Sequence, residues 1–188
     1  MNKSSGDVNF TEINADRIIL RRFSDNDIDT FVKYRANPAI AKYQSWENFT
    51  FDNGKTFVQG MQAISPGIPG QWYQLAIEEK SSQKMIGDCA FCINADDNKQ
   101  AEIGFTLAPE FHGKGFGKEA VTCMLKYIFK AFKLHRVIAI TDVENKTSIA
   151  LLESIGMRRE GTFIEATFFK GHWSSEHLYA ILSKDMIF

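Results

Sequence analysis

At residues 111–118 the sequence reads Phe111-His112-Gly113-Lys114-Gly115-Phe116-Gly117-Lys118. A strand-like run at 101–107 precedes this glycine-rich turn. The apolar residues after it recur at the spacing of one helix face, at Ala120, Val121, Met124, Leu125, Ile128 and Phe132. In the order strand, glycine turn and helix, the first N–H groups of the helix lack partners and point at one spot. The helix dipole adds positive potential there, so the turn predicts a phosphate-binding site.

The residue types in the turn suit that role. Its three glycines let the backbone approach an anion closely, and its two lysines add positive charge at the rim. A nucleoside triphosphate loop would need glycine in place of His112 and serine or threonine in place of Glu119. The spacing also differs from the dinucleotide pattern Gly-x-Gly-x-x-Gly. A plain turn at the start of a helix remains the alternative.

The rest of the chain predicts a single domain over 1–188, with 1–15 as a flexible N-terminal segment. Apolar, branched runs predict strands at 17–23, 72–78, 85–93, 101–107, 136–141, 162–169 and 177–182. Helical spacing predicts helices after Ser24, at 57–64, after the glycine-rich turn and at 148–154. The first of these helices is predicted to end at Asn37-Pro38. The strands at 72–107 form an antiparallel meander in this interpretation, and the last two form a hairpin.

Composition excludes several classes of protein. Hydrophobic residues make up 44% of the chain and charged residues 24%, which is ordinary for a globular protein. A net charge of -1 provides no field that would gather nucleic acid, so no nucleic-acid partner is expected. Neither a membrane-spanning run nor a signal-peptide core is visible, so we expect a cytoplasmic protein without a membrane partner. The cysteines are interpreted as reduced core thiols and the histidines lack metal-ligand spacing, so no metal is expected.

Several motifs resemble those of the GNAT superfamily of N-acetyltransferases. The turn at 111–120 is similar to its Gln/Arg-x-x-Gly-x-Gly/Ala signature. Upstream, 101–105 with Pro109 is similar to the family's fourth strand; downstream, Asn145-x-x-Ser148 with Gly156-Met157 resembles the motif after its fifth strand. The start of the domain at 17–21 and its end, Gly171-His172-Trp173 with Tyr179, resemble the ribosomal-protein N-terminal (alanine/serine) acetyltransferases.

The resemblance implies a mixed α/β fold, with a central, mostly antiparallel sheet of about seven strands flanked by helices. It implies acetyl-coenzyme A (acetyl-CoA) as cosubstrate and a primary amine as acceptor. The fourth strand would splay from the fifth, leaving the backbone N–H near Leu107 to hold the thioester carbonyl. The residues expected to bind the cofactor are Phe105, Thr106, Leu107, His112, Gly113, Lys114, Gly115, Phe116, Gly117, Lys118, Asn145 and Ser148.

Two residues are candidates for the proton transfers of the reaction. Glu102 is the candidate base for the acceptor ammonium, directly or through water, and a strand-surface carboxylate is the alternative. Ser148 is the candidate proton donor to the thiolate, with Asn145 either capping the helix or contacting the pantetheine arm. The sequence departs from the family at His112, where Gln or Arg is usual, and at Leu152, where many members have the tyrosine that protonates the thiolate. The general acid is therefore not carried over from the family.

The acceptor stays open at this point. Aromatic side chains that could form its pocket wall, or pack in the core, are Tyr43, Trp46, Phe168, Trp173 and Tyr179. A protein N-terminal α-amine is one acceptor class, and a small amine such as a polyamine, amino acid or aminoglycoside is the other. A CoA-binding regulatory module without activity is a different class of function, which Leu152 favours. The oligomeric state is also open, a homodimer being one option.

Overall fold

A computed structural model describes residues 6–186 of the chain. The strands are β1 (Glu12–Asn14), β2 (Ile18–Arg21), β3 (Tyr73–Glu79), β4 (Lys84–Ile93), β5 (Gln100–Leu107), β6 (Arg136–Asp142), β7 (Arg158–Phe169) and β8 (His172–Leu182). The α-helices are α1 (Ile28–Arg35), α2 (Pro38–Ala41), α3 (Phe51–Gln62), α4 (Phe116–Phe132) and α5 (Lys146–Ser154).

All eight strands belong to one sheet in the order β1-β2-β3-β4-β5-β6-β8-β7. Neighbouring strands pair antiparallel except for β5 and β6, which run parallel. The predicted meander is β3-β4-β5, and the predicted hairpin is β7-β8, joined by Lys170 and Gly171 at positive φ. The predicted mixed fold with a mostly antiparallel sheet is thereby confirmed. The strand beyond the seven predicted ones is β1.

The sequence predicted a flexible segment at 1–15, whereas the structure has a strand within it. Glu12–Asn14 pairs with β2, and the Phe10 ring is buried against Tyr73 and Tyr127. Such a short, half-polar strand has no alternation for a sequence pattern to detect, and it forms because the edge of β2 supplies its hydrogen-bond partners. Residues 1–5 lie outside the described part of the chain.

Helices cover both faces of the sheet. The predicted apolar face of α4 is buried in the main core, and α5 also contacts α4. On the other face, α1 and α3 bury Phe31, Tyr34 and Val58 in a second cluster. Within residues 6–186, no helix is long and apolar enough to cross a membrane.

The sequence predicted that Asn37-Pro38 ends a helix, and the structure adds a new one there. Helix α1 ends at Arg35 and α2 begins at Pro38. Proline fits the first turn of a helix because its missing N–H would have no partner there. The Asn37 carboxamide caps α2 by accepting a hydrogen bond from the N–H of Ala39, at 2.9 Å.

Candidate active site

The centre of the sheet opens between β5 and β6. Their parallel pairing covers only three residues on each strand and ends at Glu102 and Ile138. Beyond that point β5 stays paired with β4 as far as Leu107, and β6 stays paired with β8 as far as Asp142. The two strands therefore diverge and leave a gap, as the resemblance implied for its fourth and fifth strands.

The backbone of Leu107 faces this gap. The N–H of Ala108 donates to the Ile86 carbonyl of β4 at 2.9 Å. Because successive residues of a strand direct their backbone groups to opposite sides, the N–H and C=O of Leu107 point away from β4. The His112 side chain lies with Nε2 at 2.9 Å from the Leu107 carbonyl oxygen, so this ring nitrogen is the donor. The N–H of Leu107 is directed to the same free edge of β5.

The glycine-rich turn leads directly from this region into α4. Gly113 and Gly115 have φ of 71° and 83°, which a side chain would strain, and Gly115 is the N-cap residue of α4. Within residues 6–186 no side chain caps this end of the helix, so the first amides of a 17-residue helix are open to a ligand. Lys114 and Lys118 are exposed at the rim, whereas the Phe116 ring is buried and offers the site only its backbone.

Gly117 has a different role from the other two glycines. A Cβ atom at Gly117 would lie 2.6 Å from a methyl group of Leu151 in α5. This glycine therefore allows α4 and α5 to pack closely. It affects the cavity near β5 and β6 through the position of α5, which begins after Asn145 and carries Ser148.

Arg17 holds the turn from the opposite side, a contact that the sequence did not predict. Its guanidinium donates to the Lys114 carbonyl at 3.0 Å and to the Glu119 carboxylate at 2.8 Å. The backbone N–H of Arg17 donates to Glu119 as well, at 2.7 Å, and the guanidinium carbon lies 4.4 Å from the centre of the Phe116 ring. Because about a hundred residues separate Arg17 from the turn, no local spacing could indicate the pair.

A cavity of about 350 Å³ passes through the gap. Alternation along the strands assigns its lining to both faces of the sheet: Ile103, Phe105 and Ala139 belong to the α4-α5 face, and Gly104 and Ile140 to the opposite face. Asn145, Ser148 and Leu152 line it from α5, and Tyr43, Gln44 and Ser45 from the other side. The site can therefore receive one ligand from each face of the sheet.

The two site residues predicted at the start of α5, Asn145 and Ser148, differ in their hydrogen bonds. The Asn145 side chain accepts a hydrogen bond from the N–H of Ser148 at 3.2 Å and so caps α5. Ser148 is partly buried and its side chain lines the cavity without another partner among the described residues. Leu152, at 1% exposure, lines the cavity one turn further along. Among the described residues, the hydroxyl side chains that line the cavity on this face are Ser148 and Thr141, so a proton donor here would be one of these or water.

Glu102 and Thr106 lie on the face of β5 opposite Ile103 and Phe105. Neither lines the cavity. Glu102 is half-buried beside Cys92, and this burial, together with the charge of Glu176, raises the pKa of its carboxyl. Thr106 is buried opposite Asp88 of β4. Glu102 could therefore reach a ligand in the gap only through water or side-chain movement, and Thr106 is near the site through its backbone alone.

Two carboxylates at the cavity were not predicted from the sequence. Glu176 of β8 accepts a hydrogen bond from the Thr167 hydroxyl at 3.0 Å, and Asp142 of β6 accepts one from the Ser174 hydroxyl. All four residues line the cavity. They come from three strands and two register shifts interrupt β7 against β8, so the spacing of these residues in the sequence shows no motif.

Of the five aromatic residues considered for a pocket wall, Tyr43 lines the cavity. Trp46 donates to the Arg35 carbonyl at 3.0 Å, and Tyr179 is fully buried with its hydroxyl on Glu153. Phe168 and Trp173 are exposed and pack against each other on the hairpin. Phe169, which the sequence analysis did not single out, lines the cavity in their place.

Residues 6–186 contain no cluster of three or more His, Cys, Asp or Glu side chains that could hold a metal ion. The three cysteines are unpaired with one another, and Cys89 is fully buried. The polar side chains that line the cavity include hydroxyl groups and carboxylates.

Comparison with known proteins agrees with this geometry. A family model described as acetyltransferase (GNAT) domain matches residues 17–158. The uncharacterized N-acetyltransferase p20 of Bacillus licheniformis is 30% identical over 91% of this chain and 96% of its own length. The [ribosomal protein uS5]-alanine N-acetyltransferase of Escherichia coli is 25% identical over 92% of this chain and 91% of its own.

A solved structure is similar over nearly the whole fold. The crystal structure of an acetyltransferase (GNAT family) from Bacillus anthracis matches with a TM-score of 0.82 and 30% identity, covering 93% of this chain and 99% of that one. Residues 17–158, which the family model matches, include the glycine-rich turn and both divergent strands. The chain therefore belongs to the GNAT family of acetyltransferases.

Proposed function

We propose that the protein transfers the acetyl group of acetyl-CoA to a primary amine at the gap between β5 and β6. The observation that carries this proposal is the divergence of β5 and β6, which leaves backbone N–H groups on the free edge of β5 beside a cavity that reaches both faces of the sheet. Attack of an amine on a thioester puts negative charge on the carbonyl oxygen, and a backbone N–H held in place stabilises that charge.

The residues of the α4-α5 face fit coenzyme A. The uncapped amides after Gly115 would bind its pyrophosphate, with Lys114 and Lys118 at the rim. Phe105 and Leu107 would lie along the pantetheine arm, and Asn145 would contact its amides while capping α5. In this arrangement His112 fixes the strand end that presents the Leu107 N–H.

Two residues would move protons in the reaction. Glu102, whose pKa is raised by burial, would accept the proton of the acceptor ammonium through a water molecule. Ser148 would donate a proton to the departing thiolate, since its hydroxyl lines the cavity on the cofactor side and Leu152 offers none. The regulatory alternative, coenzyme A binding without turnover, would require that Ser148 does not replace the missing tyrosine.

For the acceptor we propose a protein N-terminal α-amine of the ribosomal-protein type. The similarity to the uS5-alanine acetyltransferase over 92% of this chain supports this choice. A polyamine is the second candidate, because Asp142 and Glu176 give the acceptor side of the cavity negative charge. The unpaired cysteines fit a reducing compartment, so we propose the cytoplasm as the location.

The test is an acceptor screen with the purified protein and acetyl-CoA. Peptides with N-terminal alanine or serine, polyamines and aminoglycosides are incubated in parallel, with release of thiol and the mass of the acceptor as readouts. Transfer to one class above the background of acetyl-CoA hydrolysis is expected. Coenzyme A binding without transfer to any amine would favour the regulatory alternative.

In the same assay, Ser148→Ala is expected to lose most of its turnover and to keep its affinity for coenzyme A. Ser154→Ala is the matched control, because Ser154 lies on the same helix outside the cavity, with its hydroxyl on the Leu151 carbonyl. Full turnover in Ser148→Ala would remove that residue from the mechanism.

A further inference from the structure

The acceptor side of the cavity has an unbalanced charge. Its lining contains the carboxylates of Asp142 and Glu176, and among the described residues it contains no lysine or arginine. The two residues are directly opposite each other in the β6-β8 register. Their side chains are on the face of the sheet that also presents Glu102 and Gly104.

The two carboxylates are not equally available to a ligand. One oxygen of Asp142 accepts the N–H of Glu144 at 2.7 Å and the other accepts the Ser174 hydroxyl, so Asp142 shapes the turn into α5. Glu176 uses only Oε2, which Thr167 holds at 3.0 Å. Its Oε1 has no hydrogen-bond donor within residues 6–186, so it can receive one from a ligand.

The positive side chains on neighbouring segments are engaged elsewhere. Lys42 pairs with Glu144 at 3.3 Å, and Lys146 donates to the Val143 carbonyl. The Lys170 ammonium donates to the carbonyls of Ala41 and Trp46. Glu176 is also close enough to Glu102 for its charge to raise the pKa of that carboxyl. Within residues 6–186, Asp142 and Glu176 form no ion pair with a lysine or arginine, so their charges are not neutralised at the cavity.

We propose that Glu176 receives the acceptor ammonium and makes the enzyme select amines that have no carboxylate beside them. This inference rests on the proposed function. A free amino acid would bring its own carboxylate against Asp142 and Glu176, and like charges at such distances in a partly desolvated cavity repel strongly. An α-amino amide, a peptide N-terminus or a polyamine has no such charge next to the amine. Free amino acids are thus excluded as acceptors.

The experiment compares alanine with alaninamide, and serine with serinamide, by kcat/KM. An amide is the better acceptor for a second reason, because its amine has the lower pKa, so the preference of the wild type alone does not decide the question. The deciding quantity is the change in the amide-to-acid ratio on Glu176→Gln, since the amine pKa values are the same for both enzymes.

We expect the ratio to fall on the order of tenfold in Glu176→Gln, mainly through a lower kcat/KM for the amides. Glu165→Gln is the matched control, because Glu165 lies exposed on the same hairpin and outside the cavity, and the ratio should not change there. Coenzyme A affinity, measured by calorimetry, is expected to equal that of the wild type in both variants.

A second variant covers the case in which Glu176→Gln does not bind coenzyme A. Thr167→Val removes only the hydroxyl that holds Glu176, and it should shift the ratio in the same direction. Turnover with an unchanged ratio would overturn this inference and leave the proposed function intact. Absence of turnover with every amine would overturn the proposed function, and this inference with it.

Discussion

At the residue scale, Glu102 lies next to the gap, and its surroundings change the pKa of its carboxyl. Burial between Cys92 and Ile138 disfavours the carboxylate, and the charge of Glu176 disfavours it further, so the pKa of Glu102 is raised. A carboxylate with a raised pKa is a stronger base, and it still ionises below the pH at which an amine does. The environment thus suits the role proposed for it.

Glu102→Gln is expected to change the pH profile of kcat/KM. The base must be unprotonated, so wild-type activity should rise with pH through the raised pKa, and the variant should lose that limb along with much of its rate. An identical limb in the variant, measured with the best acceptor of the screen, would assign the limb to another group. Glu165→Gln again serves as the control for loss of one charge.

The same substitution has a predictable effect on stability. A carboxyl whose pKa is raised on folding contributes stability that is fully present below its unfolded pKa, about 4.5, and lost as the pH rises through the folded value. Glu102→Gln should therefore gain stability relative to the wild type at neutral pH and lose that advantage at pH 4. Urea unfolding at the two pH values measures the difference.

The face on which a residue lies could be predicted within one strand, whereas contacts between residues on different strands could not. The face of Glu102 follows from alternation along one strand, and the structure agrees with it. Glu176 and Thr167 meet across β7 and β8, where the register shifts between Phe163 and Thr167. Such a bulge moves side chains from one face to the other, so alternation alone could not bring this pair to the cavity.

At the element scale, the start of β2 and the N-terminus of α4 act as one unit. Arg17 joins them through the Lys114 carbonyl and the Glu119 carboxylate. By holding a carbonyl of the turn, Arg17 keeps the neighbouring N–H groups directed toward the ligand side. If the turn binds the pyrophosphate as proposed, Arg17 would preorganise it before the cofactor binds.

Arg17→Ala is expected to raise KM for acetyl-CoA about tenfold, since charge-assisted hydrogen bonds of this kind each contribute about 1.5 to 3 kcal/mol. The value of kcat should change little because Arg17 does not reach the cavity. Arg17→Lys should recover part of the loss, since it keeps the charge without the planar fork.

Arg158→Ala is the matched control for this substitution. The Arg158 side chain is 47% exposed and forms ion pairs with Glu160 and Asp185, while that of Arg17 is 49% exposed. An equal rise in KM for both variants would mean that Arg17 acts through general stability and not through the turn.

The elements themselves were largely predictable where local pattern decides them. The strand, glycine turn and helix around residue 115 needed only spacing and glycine chemistry. The short strand β1 and the short helix α2 were missed, because each depends on a partner elsewhere in the chain or on a single cap at Asn37. The divergence of β5 and β6 was implied by family resemblance and has no pattern in the sequence.

At the scale of the whole molecule, a buried polar network attaches α1 to the sheet. Asp88 of β4 accepts hydrogen bonds from Tyr34 and Gln74, and lies 3.3 Å from the Arg35 guanidinium. Burial, and then the charge of Asp88, hold the pKa of Tyr34 well above its usual value, so the phenol remains a donor. The Arg35 guanidinium also lies 3.9 Å from the centre of the Trp46 ring, which anchors the segment carrying Tyr43.

Asp88→Ala is expected to lower the free energy of unfolding by about 3 to 5 kcal/mol, because it leaves the Arg35 charge buried without its partner. Urea or thermal unfolding measures this. Asp29→Ala is the control, since Asp29 is exposed on the same side of the sheet. A loss as small as that of the control would mean that water reaches Arg35 and that the network does not hold α1.

The opening through the sheet also bears on which part of the acceptor can enter the site. In the proposed arrangement the amine would enter the gap between β5 and β6, and the rest of the acceptor would stay on the side of Tyr43 and Glu176. In the proposed arrangement coenzyme A would approach from the other side and would not compete for that space. A folded protein and a small molecule could then each place a primary amine in the gap, provided that the atoms next to the amine are not bulky.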